Sequence, residues 1–142
     1  MRLSILITSL TTTISIVSAG CYGDGADLNK NHARYFIPKY CEHADGYYNA
    51  NQVWKWCYRM EDVGNGAGQP VKRYLLLEFD RNGAGKDLSN SACKAYLNEI
   101  VNECGRGGRK ESGDKWSYRV DPGDSCDGVK PTWLSVNEGM QI

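Results

Sequence analysis

Two histidines are the side chains best suited to proton transfer in this sequence, because imidazole has an ordinary pKa between about pH 5 and 8. They are His32 and His43, and His43 stands beside Glu42 and Asp45, residue types that serve in acid–base sites. Neighbours in a chain do not by themselves converge on one surface, and the sequence contains neither a nucleophile-elbow motif nor a metal motif. We therefore predict a protein that is not an enzyme and has no catalytic residues. A small secreted hydrolase or toxin built around His43 is an alternative.

The segment that follows Asp80 is partly similar to a calcium-binding loop. Asp80, Asn82 and Gly85 fall at positions 1, 3 and 6 of such a loop. Ala84 at position 5 and Ser91 at position 12 lack the carboxylates that the ion needs. The sequence therefore predicts a turn at this place, with no metal site and no cofactor.

Aromatic residues are abundant, with four Trp and nine Tyr. Trp54, Trp56 and Tyr58 alternate along a predicted strand, so they share one face of it. That face either packs beneath a helix or forms an exposed platform for sugar rings or a partner protein. Packing in the core is favoured, because aromatic side chains dominate core burial. A carbohydrate-binding or cell-wall protein that uses this face is the other alternative function.

Arg106, Arg109 and Lys110 form a small basic segment, which we expect to be a solvated loop at an edge where a partner could bind. The whole chain has 17 basic and 17 acidic side chains, and loss of Arg2 with a leader would leave 16 and 17. A net charge of −1 gives no reason to expect nucleic acid or an anionic membrane as a partner.

An even number of cysteines in a secreted chain predicts three disulfides. The six are Cys21, Cys41, Cys57, Cys93, Cys104 and Cys126. Cys93 and Cys104 fall on one predicted helix, about 16 Å apart along its axis, whereas a disulfide needs Cα atoms within about 7 Å. These two cannot bond to each other, and the remaining pairings stay open.

Residues 89–104 have the spacing of an amphipathic helix. Its apolar positions are Cys93, Tyr96, Leu97, Ile100, Val101 and Cys104. Gly105 follows at the place where a left-handed residue commonly ends a helix. A second, shorter helix is predicted over residues 26–36, capped by Asp24 and ending before Pro38.

Alternating apolar residues predict strands at residues 52–59, 71–79 and 115–121, and a weaker one at residues 132–136. Glycine-rich turns separate these segments. The order of elements predicts an α+β fold in two layers, with an antiparallel sheet of about four strands covered on one face by the amphipathic helix.

Residues 1–19 have the pattern of a secretory signal peptide, with Arg2, an uncharged stretch, and the small residues Val17 and Ala19 before the expected cleavage point. The stretch is too polar and too short for a membrane anchor. We therefore expect a secreted protein without a membrane segment, whose residues 20–142 form one monomeric domain.

The predicted helix at residues 91–104, the glycine-rich link and the strand Trp116-Ser117-Tyr118-Arg119-Val120-Asp121-Pro122 resemble small cysteine-rich proteins of filamentous fungi. More narrowly, residues 71–127 resemble the Leptosphaeria avirulence and suppressing effectors, the LARS family. Ser117 stands where the Trp-Arg-aromatic element of that family has Arg.

The resemblance implies a disulfide-bonded, helix-covered antiparallel sheet and a virulence protein that acts in the plant by binding. It implies a host plant protein or an immune receptor as the partner, and recognition by resistance receptors. It carries over no catalytic residues, and the site of action is either the apoplast or the interior of host cells.

Overall fold

The computed structural model describes residues 20–64 and 70–129, which form two helices and seven strands. In chain order these are β1 (Gly20–Cys21), α1 (Lys30–Ala44), β2 (Gly46–Tyr48), β3 (Val53–Gly64), β4 (Pro70–Arg81), β5 (Lys86–Leu88), α2 (Asn90–Glu103), β6 (Gly108–Glu111) and β7 (Trp116–Gly123). The predicted signal peptide, residues 1–19, and the predicted strand at residues 132–136 lie outside the described residues.

Five strands form one antiparallel sheet in the order β1-β6-β7-β4-β3, and β2 pairs with β5 in a small separate sheet. The three long strands expected from alternation are β3, β4 and β7, and both β3 and β4 run past their predicted ends. The α+β class is confirmed, with β1 and β6 extending the main sheet to five strands.

The first helix corrects a sequence prediction. Instead of a helix over residues 26–36 capped by Asp24, α1 begins after Asn29, whose side chain accepts hydrogen bonds from two amides of the first turn. It continues through Pro38, although proline cannot donate the helical hydrogen bond at that position. The buried positions keep helical spacing on both sides of the proline: Ala33, Phe36, Ile37, Tyr40, Cys41 and Ala44. Burial of this stripe stabilises the second half of the helix.

The second helix lies where the sequence places it. Ser89 caps α2 through its Oγ, and the predicted apolar face is buried at Cys93, Leu97, Ile100 and Val101. The expected left-handed Gly105 is wrong: Cys104 ends the helix in extended conformation, and Gly107 has the positive φ, +75°. A Cβ on Gly107 would lie 2.2 Å from the carbonyl oxygen of Val120, so the close approach of β7 also requires glycine there.

The main core lies between the two helices and the sheet. Leu75, Leu77 and Phe79 of the interior strand β4 face the helices, as alternation predicts, and all three are fully buried. Phe79 stacks with Tyr118 of β7 at 5.7 Å between ring centroids. Many aromatic side chains of the sequence therefore pack in this core.

The opposite face of the sheet, here called the outer face, is also partly buried. Leu76 packs there with Cys57 and Cys126 in a second, smaller cluster. Glu78 on the same face is only 2% exposed. The sequence predicts one covered face, and the structure covers part of the other with a disulfide and with charged side chains.

Three disulfides are present, as predicted. They are Cys21–Cys104, Cys41–Cys93 and Cys57–Cys126, with Cα–Cα distances of 5.3, 5.7 and 5.7 Å. The first ties the end of α2 to β1, the second ties the start of α2 to α1, and the third ties β3 to the segment after β7. The start of α2 is thus bonded to its neighbour in the helical layer.

Candidate interaction surface

The two histidines are not brought together. His32 and His43 stand eleven residues apart on α1, about 16 Å along a helix axis. The ring of His43 lies against Trp56 of β3, with 4.7 Å between ring centroids. His43 therefore contributes to an aromatic surface. His32 lies too far along α1 for the two imidazoles to act together.

The calcium-like segment is a strand end and a turn. Asp80 lies within β4, where its carboxylate accepts a hydrogen bond from Arg109 of β6. Among residues 20–64 and 70–129, no group of three or more His, Cys, Asp or Glu side chains could hold a metal ion.

The basic segment is in part the loop that the sequence predicts, because Arg106 lies in an exposed turn between α2 and β6. Arg109 and Lys110 lie in β6, and Lys110 pairs with Glu99 of α2. Arg106 donates to the carbonyl oxygen of Gly23 at 2.6 Å and lies 3.3 Å from the Asp27 carboxylate. Intramolecular pairing within the fold therefore engages all three cations.

Arg109 belongs to a row of charges that crosses the outer face. Register places Lys55, Glu78, Arg119 and Arg109 side by side on β3, β4, β7 and β6. Lys55 Nζ lies 3.0 Å from Glu78 Oε2, and Arg109 reaches both Glu78 and Asp80. Burial and the nearby Glu78 carboxylate raise the pKa of Asp80, which Arg109 only partly offsets. The buried carboxylates of Glu78 and Asp80 are therefore held by cations from neighbouring strands. The sequence of any one strand does not reveal this arrangement.

An open cleft of about 410 Å³ lies beside the start of α2. Tyr96 and Trp116 line it together with Asp45, Asp87 and Asp114. The pKa of Asp114 is lowered by hydrogen bonds from Lys86 and Ser112.

The predicted aromatic platform changes character along β3. Tyr58 is fully buried and stacks on Phe36 of α1, so it belongs to the core. Trp56 is partly buried against the same core, whereas Trp54 is 36% exposed. Each of the two alternatives predicted for this face therefore holds for part of it. The face packs in the core at Tyr58 and is accessible at Trp54.

Two more exposed apolar side chains lie close to Trp54 in the chain. Tyr47 of β2 is 61% exposed and Val53, the first residue of β3, is 45% exposed. A tight turn joins the two strands, with the amide of Gln52 donating to the carbonyl of Asn49 at 3.1 Å. We call Tyr47, Val53 and Trp54 the apolar patch; they are close in the chain, and Val53 and Trp54 lie on opposite faces of β3 at its edge.

The apolar patch adjoins an open sheet edge. Strand β3 is the last strand of the five-stranded order, so β4 alone pairs with it within the described residues. The amide of Arg81 donates to the carbonyl of Gln52 at 2.9 Å, which makes Val53 and Asp80 a non-hydrogen-bonded pair. Backbone groups alternate along a strand, so those of Trp54 point to β4 and those of Val53 and Lys55 point away from it.

No protein-family model matches this chain, and no curated protein matches it. Its disulfides are typical of extracellular or secreted proteins. Within residues 20–64 and 70–129, neither helix is long and apolar enough to cross a membrane.

Proposed function

We propose that this protein is a secreted virulence effector of a fungal plant pathogen that acts by binding a host plant protein. In this proposal, residues 1–19 direct secretion, resistance receptors of the host recognise the protein, and it acts as a monomer. The observation that carries the proposal is the apolar patch: three large apolar side chains exposed close together in the chain, on a frame stapled by disulfides. Aromatic and aliphatic side chains exposed on a rigid frame are a common basis of protein interfaces.

The resemblance of residues 71–127 to the LARS effectors supports the same reading from an independent part of the chain. The apolar patch lies at residues 47–54, outside that segment. The resemblance therefore supports the class of protein, and the patch supports the surface it uses.

Transient expression in host lines with different resistance backgrounds tests the proposal, with cell death as the readout. The full chain and a form without residues 1–19 are compared. We expect death in some lines only, because recognition depends on the receptor that a line carries. Death in every line would point instead to a toxin or hydrolase built around His43. In that case His43→Ala should abolish the response, and an unchanged response would reject that alternative.

A double variant, Tyr47→Ser with Trp54→Ser, tests the surface. We expect it to lose the line-specific response while folding normally, because both side chains are exposed and contribute little to the core. Asp24→Ser with Asn31→Ser is the matched control, since these two residues are exposed and lie away from the patch in the chain. A response that survives the patch variant contradicts the assignment of this surface.

The second candidate is a carbohydrate-binding protein, and the exposed ring of Trp54 is the observation that favours it. Retention on insoluble chitin or β-glucan, lost in Trp54→Ser, would support it. If the protein passes through both matrices unretained, this candidate is rejected.

A further inference from the structure

Exposed edge strands usually carry features that prevent another strand from pairing with them, and a lysine projecting from the edge is one of the commonest. Lys55 lies on the edge of β3, but its ammonium group is held over the outer face by Glu78, at 3.0 Å. Glu78 is almost fully buried, so it holds the lysine ammonium close to the outer face of the sheet. Lys55 therefore does not project from the edge, where it would prevent another strand from pairing.

The backbone groups of β3 that point away from β4 lie at a regular spacing. The amides and carbonyls of Val53 and Lys55 point away from β4, and they are spaced two residues apart, about 6.8 Å. The side chains at residues 53–55 are exposed on both faces of the sheet. Further along, Cys57 and Tyr58 are fully buried. Among residues 53–58, the accessible part of this edge is therefore residues 53–55.

We propose that this open edge binds an extended segment of a partner protein, which pairs antiparallel with β3 as a sixth strand of the main sheet, like every other pair in that sheet. A row of alternating amides and carbonyls is matched best by another extended backbone. The inference rests on the proposed function, because it specifies how the same surface would bind its protein partner.

The side chains around the edge specify the chemistry of that segment. On the helix side, its residue opposite Trp54 meets an exposed aromatic ring, so an aromatic or aliphatic side chain fits there. On the outer face, its neighbours lie beside Val53, which is apolar, and beside Lys55, whose side chain is paired with Glu78 but is still 38% exposed. The structure thus favours a segment that alternates apolar residues with an acidic one.

The probe is a capped peptide, Thr-Glu-Tyr-Val-Tyr-Glu-Thr, whose pattern reads the same in both directions. Amide exchange is followed by NMR on the full protein with millimolar peptide. Without peptide, the amides of Val53 and Lys55 should exchange quickly and that of Trp54 slowly. With saturating peptide, exchange at Val53 and Lys55 should slow at least fivefold.

Backbone methylation of the peptide provides the decisive comparison. Antiparallel pairing at Val53 and Lys55 requires the amides of the Glu and Val residues of the peptide, whereas its Tyr amides point away. Methylating the Glu and Val amides should abolish binding, and methylating the Tyr amides should leave it within about twofold. Equal binding of the two methylated peptides, or no protection with the unmodified peptide, overturns the proposal.

A pair of protein variants tests the same edge. Both Lys55→Pro and Lys55→Ala lose the contact with Glu78, but only proline removes the outward amide and obstructs pairing. We expect Lys55→Pro to weaken peptide binding at least tenfold relative to Lys55→Ala. Should Lys55→Pro fail to fold, the methylated peptides decide the question with the natural sequence.

Two outcomes separate this inference from the proposed function. Line-specific cell death without peptide binding would leave the effector proposal standing and reject strand addition. Binding in the expected methylation pattern without any plant response would support strand addition and reject the effector proposal. Dimers that form without peptide and are lost in Lys55→Pro would assign the edge to a second copy of this chain, and so overturn the inference.

Discussion

At the scale of single residues, Asp80 provides a test of the charge row on the outer face. Its raised pKa means that the folded state binds the proton more tightly than the unfolded state does. Protonation therefore stabilises the fold, and this contribution is lost as pH rises above the unfolded value of 3.8 and through the higher folded value. We expect the free energy of unfolding of Asp80→Asn, relative to the natural sequence, to shift in favour of the variant between pH 4 and pH 7.

Urea titrations at several pH values measure this difference. In a Glu78→Gln background the trend should become smaller, because the Glu78 carboxylate is one of the two causes of the shift. A difference that stays constant with pH would show that Asp80 titrates alike in the folded and unfolded chains.

Leu97 tests the buried face of α2. Leu97→Asp places an unpaired carboxylate in the core, and we expect it to cost more than about 3 kcal/mol and to prevent recovery of folded protein. Ala95→Asp introduces the same residue on the exposed face of the same helix and should stay within about 1 kcal/mol of the natural sequence. Protease resistance and yield of the two variants measure the contrast. Similar behaviour of the two would mean that the face is wrongly assigned.

Individual side chains were predictable where a local pattern determines them. The burial of Leu97 follows from helical spacing, and that of Leu77 from alternation. The near-complete burial of Glu78 does not, because it depends on cations that β3, β6 and β7 bring beside it. Sheet register is a long-range property, and charges within single strands do not reveal it.

At the scale of elements, α1 shows how one residue type can mislead. Proline inside a helix removes a hydrogen bond, so the sequence predicts a helix that ends before Pro38. The apolar stripe runs past it without a change of phase, from Ala33 to Ala44, and Cys41 bonds to α2. Burial and a covalent link outweigh one missing hydrogen bond. The unbroken stripe was the signal that could have corrected the prediction.

Pro38→Ala measures that balance. Alanine restores the donor to the carbonyl of Arg34 and relieves the clash, so we expect the free energy of unfolding to rise by about 1–2 kcal/mol. The gain is smaller than the full cost of a helical proline, because proline also restricts the unfolded chain. Thermal unfolding compares it with Asn31→Ala, an exposed residue in the first turn of the same helix. A lower stability of Pro38→Ala would show that the ring itself contributes packing that alanine cannot replace.

At the scale of the whole molecule, the three disulfides join segments that are far apart in the sequence, with separations of 83, 52 and 69 residues. Each closes a long loop and therefore lowers the conformational entropy of the unfolded chain. In the loop-entropy model this stabilises the folded state by about 4 kcal/mol per disulfide. We expect Cys57→Ser with Cys126→Ser to lose about 2–4 kcal/mol, and full reduction to lower the unfolding midpoint far more than any surface substitution.

Calorimetry of the oxidised, reduced and double-serine forms compares these costs. Asn82→Ala, an exposed side chain far from the cysteines in the chain, serves as the surface control. A midpoint unchanged by reduction would contradict the pairing. The count of cysteines predicts the number of bonds, whereas their partners depend on the tertiary arrangement.

The pairing has a consequence for how the chain is made. Cys21, Cys41 and Cys57 all bond to cysteines of the second half, Cys104, Cys93 and Cys126. A chain that enters an oxidising compartment from its amino end therefore exposes three thiols before any native partner arrives. Any bond formed before Cys93 emerges joins the wrong residues and has to be exchanged. The last native bond waits for Cys126, so maturation depends on keeping early thiols reduced or on reshuffling them afterwards.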